Sequence, residues 1–175
     1  MLRLLLLRHA KSDWGDPSQD DIDRPLNARG RAAARTIAAY FADQDLLPDL
    51  ILCSSAQRTR ETLAHLLPFL DGEYDIRLMA DLYDQNEDSY VPILQTNGGS
   101  ARTLLLIGHN PAIEETALAL VGSGPEDAIE DLGMKFPTGA LAVLDFQTDT
   151  WAKLKPESGH LDRFVKPRNL EIPDE

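Results

Sequence analysis

The chain has 175 residues, 43% of them hydrophobic and 26% charged, which is enough for one globular domain but too few for two comfortable ones. Its formal net charge of −12, with no basic patch in the sequence, argues against a general nucleic-acid-binding protein. No apolar run approaches the roughly 20 residues of a membrane span, and the single cysteine excludes an internal disulfide framework. We therefore expect a cytoplasmic protein without a membrane partner.

The first predicted element is a short strand buried on both faces. Four consecutive leucines occupy positions 4–7, a pattern typical of a strand in a parallel sheet. The run leads directly into Arg8 and His9. Because ligands bind beyond the carboxyl ends of strands in open α/β sheets, these two residues are candidates for chemistry. Considered alone, the pair is more consistent with a loop cap.

Strands and helices are predicted to alternate through the middle of the chain. Residues 13–26 are rich in Asp and turn residues and are predicted to form a loop. The next elements are a helix at 27–42 with Asn27 as its N-cap, a strand at 50–53, a serine-capped helix ending near 67, a strand at 74–79 and a helix near 90–96.

The last third continues this alternation. Residues 103–107 form a second strongly apolar strand, followed by the corner Gly108-His109-Asn110-Pro111. We expect Asn110 to cap a helix running to 121, and a strand at 139–146 to form a hairpin with 151–154. The pattern predicts a three-layer α/β/α sandwich with a largely parallel central sheet. We assign residues 1–155 to a single domain and 156–175 to a polar C-terminal tail of that domain.

Two leucine-rich strands thus end in His9 and His109, and a third leads into a helix that carries Arg58 in its first turn. If these strands are neighbours, two imidazoles and two guanidiniums (Arg8 and Arg58) converge at one sheet edge. Such a cationic pocket in an acidic chain suits phosphoryl groups. A histidine there can attack phosphorus and carry it covalently. The remaining cationic groups would neutralise the oxygens, so no metal is required. The sequence has no Walker loop and no Gly-x-Gly-x-x-Gly motif, so we expect no nucleotide cofactor.

Three motifs carry a family resemblance. In order along the chain, and each at a predicted strand end, they are Leu7-Arg8-His9-Ala10 followed by Lys11-Ser12, Ser54-x-x-x-Arg58-Thr59-x-x-Thr62, and Gly108-His109-Asn110-Pro111. Together they resemble the signatures of the histidine phosphatase superfamily, whose fold is phosphoglycerate mutase-like. Two further stretches are similar to the small SixA-type phosphohistidine phosphatases: Asp23-Arg24-Pro25-Leu26-Asn27-x-x-Gly30 and Phe136-Pro137-Thr138-Gly139-Ala140. The resemblance covers residues 1 to about 146.

The resemblance implies a role for each matched residue. It makes His9 the nucleophile that becomes phosphorylated. It makes Arg8 and Arg58 the groups that hold the phosphoryl oxygens, and His109 the group that stabilises their charge in the transition state. These four residues form the expected catalytic set, which contains no metal ligand and requires no cofactor.

Three further assignments remain open. Arg24 is expected either to add a phosphate contact or to form a structural salt bridge, and Ser12 either to bond phosphate or to stabilise its turn. Larger members of the superfamily place a general acid after the third strand, which favours Asp84, with Glu87 as the alternative. A strong acid is not required for phosphohistidine, because the leaving imidazole can hold a proton on its free ring nitrogen.

The expected function is a metal-independent phosphatase that acts on phosphohistidine of a protein. The connection between residues 72 and 102 is too short to build a specificity cap, so a protein surface could reach the site. Two alternatives remain: a phosphatase of the same superfamily that acts on a small phosphate ester, and a phosphate-recognising binding protein with little turnover.

Overall fold

A mixed sheet of seven strands forms the centre of the computed structural model, which describes residues 1–170. Six of the seven strands run in the same direction, and the remaining strand, which is sixth in chain order, is antiparallel to both of its neighbours. The strands are β1 Leu2–Arg8, β2 Leu50–Ser54, β3 Asp75–Met79, β4 Thr103–Gly108, β5 Val121–Ser123, β6 Leu141–Phe146 and β7 Gly159–Val165. Their spatial order is β3-β2-β4-β1-β6-β7-β5, and their directions confirm the largely parallel sheet.

The four leucines of β1 serve two separate cores. Leu4 and Leu6 belong to the core on one face of the sheet, and Leu5 and Leu7 to the core on the other. All four are fully buried. Successive side chains of a strand point to opposite faces, so an unbroken apolar run is stable only where both faces are covered. The leucine run is therefore explained by the central position of β1.

Helices cover both faces and complete the predicted three-layer sandwich. Two helices pack on the face of Leu5 and Leu7, namely α1 Ala28–Asp43 and α2 Gln57–Leu66. The opposite face is covered by α3 Asp81–Asp84, α4 Val91–Asn97, α5 Ala112–Leu120 and α6 Glu126–Met134. In the part of the chain that the structure describes, no helix is long and apolar enough to cross a membrane.

The predicted hairpin between β6 and residues 151–154 is wrong. Trp151–Lys153 forms a 3-10 turn, and β6 pairs instead with β7, which lies inside the range interpreted as a polar tail. The indole of Trp151 is buried and donates a hydrogen bond to the Ala101 carbonyl oxygen at 2.7 Å. A register shift at 143–144 and partial exposure of its side chains weaken the alternation along β7, which explains why its pattern was missed.

The predicted cap of α5 is also wrong. The helix begins at Ala112, after a cis peptide bond between Asn110 and Pro111, and the Asn110 side chain donates to the Phe136 carbonyl oxygen at 3.1 Å. The helix ends at Leu120 because the backbone adopts an extended conformation at Val121, where β5 begins. Neither β5 nor α6 was predicted.

The start of α1 docks against the segment that follows His9. Asn27 is the predicted N-cap, and its side-chain oxygen accepts from the Gly30 backbone N–H at 2.8 Å. The Asn27 backbone N–H in turn donates to the Lys11 carbonyl oxygen at 3.0 Å. A β-carbon on Gly30 would lie 2.0 Å from that oxygen. The Asn27-x-x-Gly30 motif therefore places the first turn of α1 in close contact with the backbone at Lys11, beside the candidate site.

We expect Gly30→Ala to destabilise the fold by about 1–3 kcal/mol, because the added methyl group forces the backbone at Lys11 to move. Gly133→Ala is the matched control, since no atom lies within 4 Å of its added β-carbon. That helical change is expected to stabilise by roughly 0.5–1 kcal/mol. Urea denaturation of both variants measures the difference. A Gly30→Ala protein as stable as Gly133→Ala would contradict the contact.

Candidate active site

The carboxyl ends of β1, β4 and β2 meet at one edge of the sheet. Arg8 pairs with Gly108 across β1 and β4, so His9 and His109 follow at the same level. Ser54 ends the neighbouring strand β2. The two imidazole centroids are 5.2 Å apart, and both rings line a pocket of about 580 Å³. The predicted convergence of the two histidines is therefore present in the fold.

The pocket is strongly cationic. It contains six of the seven residues predicted for the site, and Asp84 is the exception. Among the described residues that line it, Asp21 is the single carboxylate. The predicted residues in the lining are Arg8, His9, Ser12, Arg24, Arg58 and His109, and the unpredicted basic ones are Lys11 and Lys135.

His9 presents an unprotonated nitrogen. Its Nδ1 lies 2.7 Å from the Ala10 carbonyl oxygen. Because a carbonyl oxygen only accepts, this contact assigns the proton to Nδ1 and leaves a lone pair on Nε2. Burial lowers the pKa of His9 well below 6.5, and the nearby His109, Arg58 and Arg8 lower it further. The imidazole is therefore neutral at physiological pH, as a nucleophile must be.

Ser54 holds His109 in the same Nδ1–H tautomer as His9. The Ser54 Oγ accepts from the Ala56 backbone N–H at 3.2 Å, so its O–H is free to donate to His109 Nε2, 2.8 Å away. The proton of His109 then lies on Nδ1. Burial and the neighbouring Arg58 lower the pKa of His109 to about 3. His109 is thus a neutral hydrogen-bond donor.

Three buried N–H donors of the site have no partner among residues 1–170. They are Arg8 Nε, Arg58 Nε and His109 Nδ1. A buried donor without an acceptor costs about 1–3 kcal/mol, so such a cluster is stabilised by a ligand that brings several acceptors. A phosphoryl group carries three oxygens and a negative charge, which match these donors. Within the same described residues there is no group of three or more potential metal ligands.

Each arginine is also fixed through its terminal nitrogens. Arg8 Nη1 donates to the Phe136 carbonyl oxygen at 2.9 Å. Arg58 donates from Nη1 to the Asp21 carbonyl oxygen at 2.8 Å and from Nη2 to the Asp21 carboxylate at 3.2 Å. These bonds leave the Nε groups available and fix where they lie.

Asp21 is a site residue that sequence reasoning missed. Its carboxylate accepts from Arg24 Nε at 2.9 Å and from the Tyr83 hydroxyl at 2.7 Å, in addition to Arg58. Partial burial opposes ionisation, yet the bonds from Tyr83, Arg24 and Arg58 lower the pKa of Asp21 to about 2. Its only sequence signal is a position three residues before Arg24, in a loop with several aspartates.

Arg24 lines the pocket and also forms the salt bridge that was its alternative role. Besides Asp21, its guanidinium donates to the Ser12 Oγ at 2.7 Å and to the Asp13 carbonyl oxygen at 3.1 Å. It also stacks 3.4 Å from the ring centroid of Trp14, which is 76% exposed. Ser12 therefore stabilises the position of Arg24 in this structure.

The segment predicted to supply a general acid contributes differently. Asp84 and Glu87 are exposed and lie outside the residues that line the pocket. Asn86 lines it instead, and Tyr83 packs edge-on to His109 with ring centroids 5.6 Å apart. The role of Asp84 therefore stays a prediction that its position does not favour.

Thr62 connects two of the motifs. Its Oγ1 accepts from the Ala10 backbone N–H at 3.1 Å and donates to the Arg58 carbonyl oxygen at 2.8 Å. The bond joins the residue after His9 to α2, which carries Arg58. Ser54 and Thr62 both belong to the second motif, but the sequence alone predicts neither of their hydrogen bonds.

We expect both His9 and His109 to titrate well below 6.5 in phosphate-free buffer, because burial lowers the pKa of each imidazole. In the urea-unfolded chain, histidines titrate near 6.5. Below that pH the unfolded state therefore binds more protons than the folded state, and the free energy of unfolding decreases as the pH falls towards the folded pKa values. Imidazole NMR shifts, assigned with His9→Gln, measure both states. Added inorganic phosphate should raise the folded pKa values. A midpoint between pH 6 and 7 in the anion-free folded protein would contradict this expectation.

Comparisons with known proteins agree with this site. Residues 4–90, which include His9 and Arg58, match the model of the histidine phosphatase superfamily, branch 1. An uncharacterised protein of Mycobacterium leprae is 35% identical, with 93% of this chain and 100% of that protein covered.

Two solved structures share both fold and sequence with the chain. A candidate phosphohistidine phosphatase SixA from Agrobacterium tumefaciens is 34% identical, with a TM-score of 0.77 and coverage of 95% of this chain and 99% of that one. A similar candidate SixA from Nakamurella multipartitia is 28% identical, with a TM-score of 0.75 and coverage of 95% and 96%. With the three motifs brought together at one sheet edge, the chain belongs to the histidine phosphatase superfamily.

Proposed function

We propose that the protein is a phosphatase that transfers a phosphoryl group from phosphohistidine of a protein to His9 and then to water, without a metal ion. The observation that carries the proposal is the unprotonated Nε2 of His9 beside the buried Nε groups of Arg8 and Arg58 and Nδ1 of His109. This arrangement combines one nucleophile with three fixed donors for phosphoryl oxygens.

The reaction has two balanced steps. In the first, the lone pair on His9 Nε2 forms a bond to phosphorus while the bond between phosphorus and the substrate nitrogen breaks, and the leaving imidazole keeps that electron pair. In the second, a water oxygen forms a bond to phosphorus while the bond to Nε2 breaks; the electron pair returns to Nε2, and the protons of the water leave with inorganic phosphate. Arg8, Arg58 and His109 stabilise the charge that spreads over the equatorial oxygens in both steps.

The described residues that line the pocket include no suitable acid, which favours a nitrogen leaving group. The only carboxylate among the described lining residues is Asp21, whose pKa of about 2 keeps it ionised and unable to donate a proton at neutral pH. The predicted acid, Asp84, is exposed and outside the lining. An alkoxide leaving from a phosphate ester needs a proton donor, whereas the departing imidazole of phosphohistidine can carry its own proton. Two solved relatives are also candidate phosphohistidine phosphatases.

We expect the wild type to become labelled when treated with radioactive phosphoramidate, and His9→Ala to remain unlabelled, because the label is held on Nε2. His160→Ala is the control, since His160 is exposed, lies outside the pocket lining and contacts Ser123. Absence of label on the wild type, with phosphate still bound, would indicate a binding protein instead.

Turnover of a phosphohistidine peptide and of a phosphoserine peptide separates the two candidate substrates. Without a general acid, kcat/KM for the ester should be lower by about 10²–10⁴-fold. Equal values for the two peptides would contradict the choice of phosphohistidine and favour a phosphate ester.

We expect Ser54→Ala to lower kcat by about 10- to 100-fold with a smaller change in KM, because His109 loses the hydroxyl that holds its proton on Nδ1. Ser55→Ala is the matched control, since this neighbouring hydroxyl makes no side-chain hydrogen bond among residues 1–170. Steady-state kinetics measures the changes in kcat and KM separately, and the ¹⁵N chemical shifts of the His109 ring report its tautomer. If both variants lose kcat equally, or the tautomer is unchanged, Ser54 does not position His109.

A further inference from the structure

A second groove opens directly beside the active-site pocket. It has a volume of about 630 Å³ and shares Lys11, Lys135, Pro137 and Thr138 with that pocket. We call it the basic groove, because Lys11, Arg29, Lys135, Lys166 and Arg168 line it. We propose that the basic groove binds an acidic segment of the phosphorylated protein next to its phosphohistidine. The inference rests on the proposed function, whose substrate class it narrows.

The first argument is the uneven distribution of charge. The chain has 17 Lys and Arg residues and 29 Asp and Glu residues. Eight of the basic residues line the pocket and the groove, but only two of the acidic residues do. A chain with a net charge of −12 thus presents a continuous cationic face at its active site. Such a face attracts an acidic partner and orients it on approach.

The second argument is that most of this charge is not paired with carboxylates among residues 1–170. Of the five basic residues of the groove, Lys166 pairs with Asp131 at 2.7 Å. The other four are exposed and form no salt bridge with any other described residue. Exposed lysines and arginines that have no internal partner can pair with carboxylates of a ligand at little desolvation cost.

The third argument is the chemistry of the remaining wall. Met134 is 80% exposed, and Ala32, Ala33, Pro137 and Pro167 continue the apolar surface. A flexible methionine beside rigid prolines suits contact with the side chains and backbone of a peptide. No aromatic residue is present among the described residues that line the groove, so it offers no stacking platform for nucleic-acid bases. These features favour a protein segment over a nucleic acid.

The groove lies within reach of the residues that flank a bound phosphohistidine. Lys11 is two positions beyond His9 and lines both spaces. An extended peptide advances by about 3.3 Å per residue, so acidic residues within a few positions of the phosphohistidine reach the basic groove. The two sites would thus recognise one continuous segment.

The test compares two phosphohistidine peptides of equal length, one with four Glu residues beside the phosphohistidine and one with four Gln residues. For the wild type we expect KM to be about tenfold lower for the Glu peptide, with similar kcat, and the preference to shrink at high salt. The double variant Arg29→Glu/Arg168→Glu should lose the preference, since both residues line the groove but not the pocket.

The matched control is Lys153→Glu/Lys155→Glu, which makes the same change of charge at a different cavity, near Phe146 and Ser158. It should keep the preference for the Glu peptide. Equal KM values for the two peptides in the wild type, or loss of the preference in this control, would overturn the proposal.

Two further measurements separate this proposal from the proposed function. Phosphoramidate labelling of His9 tests the chemistry without any peptide, and fluorescence anisotropy of an unphosphorylated, labelled Glu peptide tests the groove without any chemistry. Labelling with no anisotropy change overturns the groove alone, whereas peptide binding without labelling overturns the chemistry alone. Tighter binding of a DNA oligonucleotide of equal charge would overturn the partner class. A dimer that dissociates in the groove variant would assign the groove to a second copy of the chain, which also overturns the proposal.

Discussion

The in-register parallel pairing of β1 with β4 is the constraint on which the site depends. Leu7 lies opposite Ile107 and Arg8 opposite Gly108, so both strands deliver a histidine at the same height above the sheet. The pairing is stable because leucines and isoleucine fill a core on each face. A slip of one residue would exchange the two faces and separate the imidazoles. The packing of the sheet and the geometry of the site therefore depend on the same strand register.

Desolvation sets the charge state of this site. Burial and the neighbouring guanidiniums keep His9 and His109 neutral, although an ionised Asp21 acts in the opposite direction on His109. The neutral imidazoles can act as a nucleophile and as a hydrogen-bond donor, while the positive charge resides on guanidiniums that cannot lose it. Asp21 balances part of that charge and holds Arg58. The site thus separates the nucleophile from the charges that stabilise phosphate.

Charge is also segregated on a larger scale. An acidic chain concentrates basic residues around the pocket and the basic groove, whereas Arg3 and Arg163, outside both, pair with carboxylates. Repulsion elsewhere on the surface and attraction at this face act together on an anionic partner. The same distribution explains why the net charge of the sequence indicates an acidic protein but does not reveal the cationic pocket.

The sequence by itself determined the apolar strands and the residues at their ends, because buried runs and the motifs around His9, Arg58 and His109 are local patterns. It also determined the Asn27 cap, which lies within one turn of the helix. Only the tertiary structure decided that Asp21 and Tyr83 join the site and that Ser54, a member of the second motif, contacts His109, since these roles depend on hydrogen bonds across elements. The same holds for β7, whose weak alternation becomes a strand only through pairing with β6.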